Sequence, residues 1–145
     1  MRPSFFAILL VAAALNSAMA QVRDSQVGDV PARSEPIREL TGSELIGSFR
    51  ELREQTVKVT DCVIAGVTQM FIRCETPTNE GRSYVIEAAS MPQSDFRWAL
   101  AVCPTGAWKN QDCRGIAVIG EIANRKSPQL LRARFDPPRT PPPAH

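Results

Sequence analysis

The 145-residue chain has one histidine, His145, at its very end, and one tyrosine, Tyr84. A terminal histidine in a proline-rich tail has nothing to hold it in place, which excludes Ser-His and Cys-His nucleophile pairs but not a Ser-Lys arrangement or a carboxylate pair. No G-x-S-x-G, P-loop, H-E-x-x-H or EF-hand pattern occurs. There is no Cys-x-x-Cys for thiol redox work, and no histidine near a cysteine to complete a zinc site, so neither metal nor cofactor is expected. No apolar run reaches the roughly 18 residues that a bilayer-spanning helix needs. Hydrophobic residues at 43% and charged residues at 22% are normal for a folded soluble protein, which excludes collagen, coiled coil and wholesale disorder.

What is present begins with an export signal. Arg2 supplies the positive start, Phe5 to Leu15 the apolar run, and Ala18-Met19-Ala20 a small-x-small cleavage site, so residues 1–20 read as a signal peptide. The mature chain then starts at Gln21, and the absence of cysteine there argues against a lipid anchor. A periplasmic or secreted protein is expected. Residues 21–36 are polar, with two prolines and three scattered valines, and read as a disordered linker. Residues 137–145 hold five of the twelve prolines and read as an extended proline-rich tail. One domain, residues 37–136, remains between them.

All four cysteines lie in that domain, and an even count in an exported chain reads as two disulfides. Three pairings are possible. Cys62 with Cys74 and Cys103 with Cys113 is favoured, because each pair is close in sequence and brackets a turn-like segment.

Thr41-Gly42-Ser43-Glu44 fits a capping box, and Leu45, Phe49 and Leu52 follow at helical spacing. Strands are expected over residues 56–67, with a bulge near Asp61 and a bend at Gly66, and over 69–75, with Met70, Ile72 and Cys74 on one face and Phe71 and Arg73 on the other. A third strand is expected from Ser83 to about Ala89. Ser94 or Asp95 is placed to cap a short helix through Val102, although Trp98, Leu100 and Val102 also alternate as a strand would. Two strands follow, residues 115–123 with a bend at Gly120, and 129–135 with Arg132 and Arg134 alternating against Leu131, Ala133 and Phe135.

The fold class is therefore mainly β with one N-terminal helix. Three strands, a helix and two strands, with a bend in the first, resemble the five-stranded OB-fold barrel, in order β-β-β-α-β-β, as in small exported OB-fold proteins of bacteria. The resemblance covers Val57 to Phe135 and rests on element order and length. The alternative makes residues 97–103 a strand, giving a six-stranded antiparallel sheet with a packed helix.

Charge is uneven. From Arg97 onward there are eight basic and three acidic side chains, whereas residues 21–96 carry eight basic and twelve acidic. Arg125, Lys126, Arg132 and Arg134 could form a cationic strip, or could simply protect an edge strand. The OB resemblance implies ligand contacts from the faces of the second and third strands and from the loops at 65–69 and 124–128, which adds Phe71 and Arg73 as a stacking surface beside a cation. Phe71 could equally be core under the first helix. An exported chain with little net charge seldom meets nucleic acid, so an anionic glycan, lipid headgroup or protein is the expected partner of a monomeric, non-enzymatic binding module. The rivals are an interaction protein acting through its proline tail and a small hydrolase with a carboxylate site.

Overall fold

The computed structural model describes residues 36–78, 81–104 and 110–143. The expected signal peptide, nearly all of the expected linker, Asn79, Gly106 and His145 lie outside the described residues. Within them no helix is long and apolar enough to cross a membrane.

A short strand, β1 (Arg38–Leu40), leads into helix α1 (Gly42–Ser48). The capping box closes as the sequence predicts. Thr41 Oγ1 accepts the Glu44 N–H at 3.2 Å, and Glu44 Oε2 accepts the Thr41 N–H at 2.7 Å. The Thr41 N–H, and after it the Thr41 hydroxyl that donates to the same Oε2 at 2.9 Å, hold the Glu44 carboxyl below the ordinary carboxylate range. Leu45, Phe49 and Leu52 are all buried, the last two in the turn beyond the helix.

The sheet has six strands: β1, β2 (Thr56–Val67), β3 (Phe71–Glu75), β4 (Ser83–Glu87), β5 (Ile116–Ile122) and β6 (Gln129–Asp136). Their hydrogen-bonded order is β1-β2-β3-β4-β6-β5, and β2 also pairs with β5. One strand can serve both neighbours because it is bent twice. The register shifts between Val59 and Cys62 against β5, and between Ile64 and Gly66 against β3, where the sequence placed a bulge and a bend. Residues 56–59 thus face β5 while 63–67 face β3. The edge of β2 opposite β5 is covered by β1, which lies parallel with Leu40 beside Val59.

Leu40, Leu45, Val57, Val59, Ile64, Ile72, Ile86, Val118, Leu130 and Phe135 fill one core. Both disulfides form, Cys62 to Cys74 and Cys103 to Cys113, with Cα separations of 5.2 and 5.7 Å. All four cysteines are buried.

Several expectations are corrected. Residues 93–102 form helix α2 (Gln93–Val102), so the sixth strand is β1, and the sheet is mixed, since β1 with β2 and β4 with β6 run parallel. α2 starts after Pro92, and neither Ser94 nor Asp95 caps it, because Asp95 is buried and spends both oxygens on distant backbone amides. Met70 is exposed rather than inward. The Thr68 hydroxyl accepts the N–H groups of Met70 and Phe71, which folds residues 68–70 into a tight turn and leaves Met70 outside the β alternation. In β6 it is Leu130, not Leu131, that enters the core. Arg132 has φ 48°, and the register against β5 slips between Ile119 and Glu121, so the inward phase changes from Leu130 to Ala133. Opposite this bulge only glycine fits, since a Cβ on Gly120 would lie 2.9 Å from Ala133 Cβ.

The proline-rich tail also departs from its reading as a free extension. The Arg139 N–H donates to Asp95 Oδ1 at 2.7 Å, and its guanidinium lies over Trp98. The folded unit therefore extends past Asp136.

Candidate functional site

Phe71 and Arg73 both point outward from β3, because Ile72 and Cys74 take the inward positions of the pleat. Phe71 is 39% exposed and Met70, beside it in the turn, 74%. The alternative of Phe71 as core under α1 does not hold. Together the two side chains make an apolar tip on the β2–β3 connection, which spans Thr68–Met70 instead of residues 65–69. Sequence reading missed Met70, and the signal that could have found it is Thr68, whose hydroxyl can close a local turn.

Cross-strand register extends this face. Phe71 lies opposite Glu87 on β4, and Arg73 opposite Val85. Val85 in turn pairs with Gln129, and its N–H donates to the Pro128 carbonyl at 3.2 Å. Pro128 ends the turn at 124–128, so the row that starts at Arg73 crosses β4 and arrives at the turn carrying Arg125 and Lys126. Val85, half-buried on the outer side of β4, is the second residue that sequence reading left out.

The charges on this surface are not equivalent. Arg73 is paired with Glu75 at 2.6 Å, and Glu87 sits across from Phe71, so these three side chains leave the β3–β4 face with no spare positive charge. Arg125 and Lys126 are exposed, and among the described residues neither side chain has an ion-pair partner. Arg132 projects from the bulge, its N–H donated to Ser90 Oγ at 2.8 Å and its guanidinium paired with Glu121. Arg134 is exposed and lies beside Ile119, with Lys58 on the next strand. Lys58 bridges Glu39 at 3.1 Å and Asp136 at 3.0 Å, and these partners, Asp136 foremost, raise its pKa.

The six predicted residues thus divide. Phe71, Arg73, Arg125 and Lys126 are linked through β4, whereas Arg132 and Arg134 belong to β6 and its pairing with β5. The cations do not form one strip. Among the described residues, no group of three or more His, Cys, Asp or Glu is placed to hold a metal. A pocket lined by Pro36, Ile37, Arg38, Gln55 and Thr56 includes none of the predicted residues.

Comparison with protein-family models, with curated proteins and with solved structures finds no match to this chain.

Proposed function

We propose that the mature chain is an exported, non-enzymatic binding module built on an OB-like five-stranded barrel, and that it takes an anionic ligand of the cell envelope on the outer face of β3 and β4. The barrel reading is supported by the pairing cycle β2-β3-β4-β6-β5 and back to β2, with a helix between β4 and β5. An OB barrel presents the outer face of its second and third strands, between the loop joining its first two strands and the loop joining its last two. Here those are β3 and β4, the Met70 turn, and the turn at 124–128. One observation carries the ligand reading: the Arg73–Val85–Gln129 row joins an exposed Phe71 to two cations that have no partner of their own among the described residues.

The binding chemistry follows from that arrangement. Phe71 and Met70 offer a flat apolar contact, while Arg125 and Lys126 supply charge that is not already spent on a neighbouring carboxylate. The strip of four cations is replaced by this smaller pair, and Arg132, tied to Glu121, becomes a structural residue of the bulge.

Binding of the mature protein to phosphatidylglycerol-containing vesicles and to a soluble acidic polysaccharide tests the reading. Arg125→Glu with Lys126→Glu should weaken binding to the true ligand class by more than about tenfold, at roughly 1 kcal/mol per surface cation. The same binding should fade as salt shortens the screening length to about 10 Å at 0.1 M. Undiminished binding after the double reversal, or after Phe71→Ala, would assign the ligand to another surface.

A further inference from the structure

Asp95 and Trp98 of helix α2 form a slot that is occupied by Arg139 of the segment after β6. Asp95 is fully buried in the first turn of α2; its Oδ2 accepts the Phe135 N–H at 2.8 Å and its Oδ1 the Arg139 N–H at 2.7 Å. The Arg139 guanidinium lies 4.9 Å from the Trp98 ring centroid, and Trp98 stands edge-on to Phe135 at 5.7 Å. A buried carboxylate that takes a main-chain amide, beside an aromatic face that takes a guanidinium, reads an arginine by its backbone and side chain together. Prolines at 137, 138 and 141 restrict the flanking backbone to extended conformations and leave few amides in need of partners.

Two features suit the slot to exchange. Arg139 Nε is buried with no hydrogen-bond partner, so the resident side chain leaves a donor unsatisfied. The segment after Asp136 belongs to no strand, and Pro142 and Pro143 beyond Arg139 are exposed, so this segment can lift from α2 while β6 keeps its pairing with β5.

We propose that the Asp95–Trp98 slot is a peptide-recognition site for an arginine-bearing, proline-rich extended segment of a partner protein, held closed by the chain's own Arg139. The inference is independent of the β3–β4 face. It is tested on the mature protein carrying Arg139→Ala, titrated with the synthetic peptide PPRTPPP and followed by amide and indole NMR signals. Saturable binding centred on Asp95 and Trp98 is expected, lost when alanine replaces the peptide's arginine. Binding to the unsubstituted protein should be at least about tenfold weaker, because the tethered segment competes at an effective concentration in the millimolar range. No binding to the folded variant, equal binding to both proteins, or signal changes confined to another surface would overturn the proposal. Should Arg139→Ala not fold, Arg139→Gln keeps the stem over Trp98 and carries the same titration. Failure of both to fold would show that Arg139 serves the fold alone, and the proposal would fall.

Discussion

Asp95 and Phe135 stand 40 residues apart in the chain, yet the Phe135 N–H and the Asp95 carboxylate meet at 2.8 Å inside the protein. The bond ties α2 to the last strand at a place where β6 is about to leave the sheet. The second carboxylate oxygen extends the tie to Arg139, so one side chain satisfies two backbone donors that no strand partner reaches.

Asp95→Ala should therefore cost about 3 kcal/mol, since it orphans two amides that each carry roughly 1 to 3 kcal/mol when left unpaired. Urea unfolding of the mature protein measures this. A loss below about 1 kcal/mol would show that the tail and β6 end are held by other contacts.

Gly120→Ala should destabilise the protein by about 1 to 3 kcal/mol, as overpacking does where the neighbour is another strand's backbone and Cβ. The added methyl would meet Ala133 Cβ at 2.9 Å and Ala133 Cα at 3.3 Å, both fixed by the β6 bulge. Gly47→Ala, in α1 with open space at its Cβ, should be neutral or stabilising in the same thermal melts.

Tyr84 is buried, and its hydroxyl has no hydrogen-bond partner. Tyr84→Phe should thus leave stability unchanged at neutral pH or raise it by about 1 kcal/mol, because the group removed is an unsatisfied one. Burial, with a smaller contribution from Asp61, pushes the phenol pKa upward from its ordinary value of 10.0. A raised folded-state pKa means that the unfolded chain ionises first, so stability holds below pH 10 and falls as pH rises beyond it. The Phe variant should lack this alkaline loss, and identical pH dependence of the two melting curves would contradict the assignment.

Much of the fold was legible along the chain because its signals are local. A capping box needs only Thr41 and Glu44, three residues apart. Period-two alternation marked β3 and β4, and the even cysteine count and spacing pointed to both disulfides. Arg97 to Val102 satisfied helix and strand templates alike, and its helical state depends on Trp98 and Ala99 finding the core. β1 carries three residues, too short for any periodicity, and exists because β2 offers a parallel edge beside it.

The candidate site was half legible for a similar reason. Phe71 and Arg73 follow from the pleat of one strand, and Arg125 and Lys126 from the composition of one turn. Their connection depends on β4 lying between β3 and β6, a register that no single segment encodes. Arg132 and Arg134 are both exposed opposite buried Ala133 and Phe135, as the alternation implied, but Arg132 sits in the bulge and is paired with Glu121, which no local pattern shows.

By itself the amino-acid sequence pointed to the covalent pairing and to most of the secondary elements, since each follows from residues close together in the chain. Tertiary structure alone decided which cations are spent on carboxylates, that the sheet order returns from β5 to β2, and that the tail is held through Arg139. Those outcomes depend on pairing between residues tens of positions apart, and a buried carboxylate such as Asp95 reveals its partners only when the chain has brought them to it.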